Sequence, residues 1–248
     1  MSKKEESCPI VKIDRCFVLT MSTDSARFKA FSSTYNLDIP LEPIIGVNTK
    51  KPENAEPFKR LVVPEKFNKM YLLDTGKAER IDSSYFNSGA LGCYLGHIEF
   101  YKRCFDQNLN YAMIFEDNVV LKPEFKKEMS MLVLPPDFDM CFLHNWTLKG
   151  EPLVKCDQNF QKIKFVMGTK CYIINVKRMW KYFPLFFPIE THIDYATEKL
   201  IYHGANVYFR KTDPIHVVYI DGGIGHSNVP DKNDDVSPYF KINLKTLR

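Results

Sequence analysis

Residues 111–123, YAMIFEDNVVLKP, constrain this chain more than any other segment. The apolar run Ala112-Met113-Ile114-Phe115 meets Glu116, Asp117 and Asn118, and apolar residues then resume at once. Such a run reads as a buried strand of an α/β sheet. A buried carboxylate without a partner is very unfavourable, so the acids belong at the strand's carboxyl end. Ligands of open α/β sheets bind at that end. Adjacent acidic oxygens there suit a hard divalent cation, which in turn carries a phosphate. Taken alone, the segment fits a strand running into a solvated turn equally well.

The surrounding pattern supplies the sheet. Residues 15–21 (RCFVLTM) read as a first strand, and Ser22-Thr23-Asp24 supply N-cap chemistry for a helix to about Tyr35. Residues 43–47 read as a second strand. Residues 48–86, rich in Lys, Glu and Pro with weak periodicity, read as a long loop with short helical turns. From Asn87, Leu91, Tyr94, Leu95, Ile98, Tyr101 and Phe105 form one apolar helical stripe. Gly89, Gly92 and Gly96 lie on the other side of that helix. Glycine inside a helix costs about 1 kcal/mol relative to alanine, so three together indicate close approach by another backbone or by a ligand.

Helices are expected over 123–132, 177–183 and 190–202. Strands are expected over 139–144, 164–167, 171–176, 206–210 and 215–220. Strands alternating with helices imply an α/β fold with a mostly parallel central sheet and helices on both faces. The organisation expected is a polar lead-in over 1–12, one domain over 13–228 and a polar tail over 229–248.

Composition narrows the function classes. Hydrophobic residues at 45% and charged residues at 26% are ordinary for a globular protein. A formal net charge of +4, with no basic block interleaved with aromatics, gives no reason to expect nucleic acid. The seven cysteines are scattered and form no CxxC pair, which argues against both a disulfide framework and a zinc site. The N-terminal MSKKEESCPIVK lacks a signal-peptide apolar core, and no apolar run approaches a transmembrane segment. A cytoplasmic, reducing compartment is therefore expected. GxGxxG after a strand, GxxxxGK[ST], HExxH and GxSxG are all missing. That argues against a dehydrogenase, a P-loop NTPase, a zinc protease and an α/β-hydrolase.

Further chemistry-bearing residues are few. In PIETHIDYATEKL, Glu190 and Asp194 stand four residues apart and would share a helix face. Either can serve as general base toward a hydroxyl, or simply favour a helix N-terminus. His97 falls between the apolar stripe and the glycine face. His226, in DGGIGHSNV, sits where a glycine-rich loop can bring an imidazole to a phosphate or a metal.

Taken in order, these blocks resemble glycosyltransferase family 25, which includes lipooligosaccharide sugar transferases and procollagen galactosyltransferases. GALGCYLGH (residues 89–97) is similar to the family's Gly-Glu-Ile-Gly-Cys-x-x-Ser-His pattern, and residues 112–119 to its Ile-Leu-Glu-Asp-Asp-Val strand. GTKCYII (168–174) resembles the Gly-Thr-x-x-Tyr block, and PIETHID the Pro-Ile-Asp-x-x-x-Asp segment. CFVLTMSTDSARFKAF resembles the family's opening, with Arg27 in the arginine place.

The resemblance implies a GT-A-type nucleotide-sugar-binding fold. It implies inverting transfer of galactose or glucose from a uridine diphosphate (UDP) sugar to a hydroxyl of a glycan or of hydroxylysine in a collagen-like protein. Mn²⁺ would neutralise the leaving diphosphate. On this basis Thr20, Arg27, Gly92, His97, Glu116, Asp117 and Asn118 would form the donor site. Asp117, Asn118 and His226 would hold the metal, and Asp194, or alternatively Glu190, would be the base.

This chain departs from the family pattern at Asn118, where members carry Asp, at Leu19-Thr20-Met21, where they carry Asn-Leu-Asp, and at Ala90 and Gly96. An amide oxygen contributes no charge, so weaker metal binding is expected. The alternative reading is a catalytically reduced GT-A domain that binds a sugar nucleotide or glycan. A nucleotidyltransferase lacks its glycine- and basic-rich phosphate loop here.

Overall fold

The computed structural model describes residues 11–75, 86–144, 154–155, 160–165, 168–210 and 215–217. Its strands are β1 (Arg15–Thr20), β2 (Leu41–Ile45), β3 (Tyr111–Glu116), β4 (Val119–Leu121), β5 (Met140–His144), β6 (Val154–Lys155), β7 (Phe160–Lys162), β8 (Cys171–Asn175), β9 (Val207–Arg210) and β10 (Ile215–Val217). Its α-helices are α1 (Ala26–Thr34), α2 (Pro52–Ala55), α3 (Pro64–Asp74), α4 (Ser88–Asp106), α5 (Phe125–Ser130), α6 (Val176–Met179) and α7 (Ile193–Tyr202). Eight strands form one sheet in the order β2-β1-β3-β8-β5-β9-β7-β6, while β4 and β10 pair separately.

Strand alternation explains why helices cover both faces. Phe17, Ile114, Met140, Phe142, Tyr172, Ile174 and Val207 point into a core shared with α3, α4 and α7. Their neighbours Cys16, Val18, Met113, Phe115, Cys141, Leu143 and Ile173 point into a second core with Phe31 of α1 and Phe125 of α5. The α/β class with two covered faces is therefore as the sequence implies. The sheet, however, is mixed rather than mostly parallel. β1 runs parallel to β2 and β3, and β5 to β9, but β8 is antiparallel to both β3 and β5. A parallel neighbour needs a crossover connection, usually a helix. Between β5 and β8 the described residues contain only the β6–β7 pair, and β8 enters in reverse.

Three element expectations are corrected. Residues 48–75 hold α2, a 3₁₀ turn at Glu56–Leu61 and the 11-residue α3, rather than a loop with short turns. Pro64 pre-sets the first turn of α3. Only Phe67 and Met70 of that helix are buried, which leaves the periodicity faint. The strand expected at 164–167 is instead β7, at Phe160–Lys162; residues 166–167, like 76–85 and 218–248, lie outside the described residues. Glu190 does not belong to the helix of Asp194, because α7 begins at Ile193. The preceding residue Ile189 is extended and bridges Val62, with Ile189 N donating to Leu61 O at 2.7 Å. Among the described residues, no helix is long and apolar enough to cross a membrane.

Candidate functional site

β1 and β3 are adjacent and parallel, so their carboxyl ends lie side by side, with Leu19 opposite Glu116. The chain leaves β3 through Asp117, whose amide donates to Leu19 O at 3.0 Å. Thr20 Oγ1 donates to Asp117 Oδ2 at 2.7 Å, and Arg27, from the first turn of α1, pairs with Oδ1. Asp117 is buried, so each of its oxygens has a partner supplied by the fold. Burial holds its carboxyl above the ordinary aspartate value, while Arg27 and Thr20 pull the other way.

Glu116 faces a different set of partners. Thr169 Oγ1 donates to its Oε1 at 3.1 Å, and Lys170 Nζ lies 3.2 Å from Oε2. Burial opposes its ionisation, but the Lys170 charge and the hydrogen bonds from Lys170 and Thr169 hold it below the usual glutamate value. His97 of α4 is fully buried. Its Nδ1 bonds the Tyr172 hydroxyl at 2.8 Å, and the two rings stack. Among the described residues its Nε2 has no hydrogen-bond partner, and it lies 3.9 Å from Glu116 Oε1. Burial lowers the His97 pKa and so favours the neutral ring. One turn earlier, the Cys93 thiol is pushed well up by burial. Cys93, His97 and Glu116 thus place sulfur, nitrogen and oxygen donors together, all within 4.8 Å of one another.

Asp194 stands in the first turn of α7, and its Oδ2 accepts from Gly168 N at 2.9 Å. Gly168 has φ 84°, the left-handed region that favours glycine. Residues 168–170 therefore connect the two acidic blocks, Gly168 at Asp194 and Thr169 with Lys170 at Glu116. Glu190 is exposed, and its carboxylate lies 3.3 Å from Lys199 Nζ. The structure brings Asp194, but not Glu190, toward the strand-end acids.

The expected donor and metal residues separate into distinct environments. Thr20, Arg27 and Asp117 form one linked group, while His97 and Glu116 form another. Gly92 has its reason in packing. A Cβ there would lie 2.7 Å from both Val47 O and Thr49 Oγ1, so the 47–49 turn occupies the space a side chain would need. Gly96 likewise admits Leu19. Asn118 is wholly buried. His226 lies outside the described residues. Among the described residues, both Asp117 oxygens are engaged and Asn118 is enclosed.

Sequence reasoning did not single out Thr169, Lys170, Tyr172 or Cys93 as site residues. A signal was available for Lys170, a cation placed directly before the apolar strand CYIIN and therefore needing an acid nearby. For Cys93 the signals were its i, i+4 spacing to His97 and its place in the Gly-Cys-x-x-Ser-His block.

A family model described as Glycosyltransferase family 25 (LPS biosynthesis protein) matches residues 13–197. A search of curated proteins found no match.

Proposed function

We propose that this chain, which belongs to glycosyltransferase family 25, moves a hexose from a UDP-sugar to an acceptor hydroxyl on a GT-A-type fold, with inversion. Galactose and glucose are the sugars proposed, and a glycan or a hydroxylysine of a collagen-like protein is the acceptor. The observation that carries this reading is the link through residues 168–170, which holds Asp194 next to the group around Glu116.

Inverting transfer requires a base at the acceptor hydroxyl and positive charge at the leaving diphosphate on the opposite side. Asp194 takes the first role. Its tie to the Gly168 amide fixes one oxygen and leaves the other to accept the proton. Arg27 and Lys170 take the second, as the two cations at the carboxyl ends of β1 and β3. Where Mn²⁺ binds, Asp117, Asn118 and His226 would hold it and it would add positive charge at the diphosphate; no step is assigned to it.

Isothermal titration of the protein with UDP-galactose and UDP-glucose, with and without Mn²⁺, tests the reading. Saturable binding of one donor is expected, and no binding under either condition would sink it. Asp194→Asn should lower transfer by roughly 10²–10⁴-fold with donor affinity retained, while Glu190→Gln should leave turnover near wild type. Unchanged turnover in Asp194→Asn removes it from the base role. The second reading, a binding module without turnover, is favoured by the buried amide at Asn118, and donor binding without donor hydrolysis would select it.

A further inference from the structure

We propose that Cys93, His97 and Glu116 form a binding site for a borderline-soft divalent cation, zinc by preference. This site uses other residues than Asp117, Asn118 and His226, the metal set that the family resemblance implies. It does not depend on the donor reading above.

Three observations carry the inference. The first is the donor set itself: thiol sulfur, imidazole nitrogen and carboxylate oxygen, mutually within 4.8 Å. Zinc takes all three ligand types, with bonds of about 2.0–2.3 Å, which places ligand atoms roughly 3.3–3.7 Å apart in a tetrahedron. His97 Nε2 and Glu116 Oε1, at 3.9 Å, already stand close to that spacing.

The second is His97. Its ring is wholly buried, and among the described residues Nε2 has no hydrogen-bond partner, although Glu116 Oε1 lies 3.9 Å away. A buried polar atom left unmade costs about 1–3 kcal/mol, and a cation at Nε2 removes that penalty. The opposite nitrogen is bonded to the Tyr172 hydroxyl. Metal-binding imidazoles are held in this way by a second partner, which fixes the tautomer and the ring plane.

The third is the mounting. Cys93 and His97 lie one turn apart on α4, and Glu116 ends a central strand, so rigid elements carry all three. Glu116 is steadied through Thr169 and Lys170, while the oxygen nearest His97 is Oε1. When the ion binds, the Cys93 sulfur releases its proton to solvent and bonds the metal. Three protein ligands leave a fourth position for water or an incoming oxygen, as in catalytic zinc sites.

Titration of metal-free full-length protein with Co²⁺, followed by displacement with Zn²⁺, tests the site. The expected result is visible d–d absorption of a four-coordinate ion with a near-ultraviolet sulfur-to-cobalt charge-transfer band, both abolished by stoichiometric Zn²⁺. Cys93→Ser, which leaves the other six cysteines in place, should lose the charge-transfer band and weaken Zn²⁺ binding by at least tenfold. His97→Gln should weaken it further. Its fold is checked by circular dichroism, and the result from Cys93→Ser stands independently of it. Wild-type protein without these bands, or a Cys93→Ser protein that keeps the charge-transfer band, overturns the site.

Discussion

Gly92→Ala separates two reasons for a glycine at this position, packing and ligand access. The added Cβ would stand 2.7 Å from Val47 O and from Thr49 Oγ1. Ordinary contact begins near 3.4 Å, so each neighbour must retreat by about 0.7 Å, which overpacking precedents make costly. The 47–49 turn has little freedom to do so. Thr49 N donates to Val47 O at 2.9 Å, Thr49 Oγ1 donates to Ser88 O at 2.6 Å, and Tyr71 OH donates to Thr49 O at 3.0 Å. Overpacking costs about 1–3 kcal/mol, and a weakened buried hydrogen bond adds about 1 kcal/mol. Alanine returns about 1 kcal/mol of helix propensity. Packing wins, by about 1–3 kcal/mol. In a domain of this size that lowers Tm by roughly 2–12 °C. Gly96→Ala meets instead the methyl groups of the single side chain Leu19, which can rotate away, so it should be milder. Urea and thermal unfolding of both variants, followed by circular dichroism, supply the measurement. A Gly92→Ala protein at least as stable as wild type would refute the packing account. Donor affinity lost with no loss of stability would return Gly92 to the donor site.

Removing Arg27 leaves Asp117 buried without its cation. Arg27→Met should cost about 2–4 kcal/mol in urea unfolding, discounted from a fully buried pair because the guanidinium is partly exposed. Arg27→Met combined with Asp117→Asn should recover part of that loss, and no recovery would mean the charge is not what matters. Glu116 is held below its ordinary value of 4.5, so its contribution to stability is present above that pH and lost as pH falls through the lowered folded-state value. Glu116→Gln should therefore flatten the acid side of the stability–pH curve, and superimposable acid limbs would contradict the assignment. Asp117 has the opposite sign. Its raised value makes its contribution decline as pH rises through the acid range, so Asp117→Asn should remove part of that decline.

Much of the fold was legible because local rules and tertiary packing agree. The run at 111–116, the stripe from Leu91 to Phe105 and the strand at Cys171–Asn175 each carry a periodicity that burial then satisfies. Reading failed where the signal was not local. α3 buries too few residues to show its period. The start of α7 is set by the pairing of Ile189 with Leu61 and Val63, which no window around residue 190 contains. Strand direction was also out of reach, because periodicity does not say which way β8 runs.

The candidate site divides in the same way. By itself the sequence determined that acids end a central strand, that a helix bearing His97 precedes it, and that Asp194 lies in a later block. Desolvation forbids unpaired charges in such places, so the residues there must be partnered. Only the tertiary structure decided the partners. Asp117 is closed off by Arg27 and Thr20, while Glu116 turns to Thr169 and Lys170. Cys93, passed over because the chain has no paired-cysteine spacing, meets His97 and Glu116. That meeting depends on the packing of α4 against the sheet, since a helix and a strand end come within ligand distance only when their cores interlock.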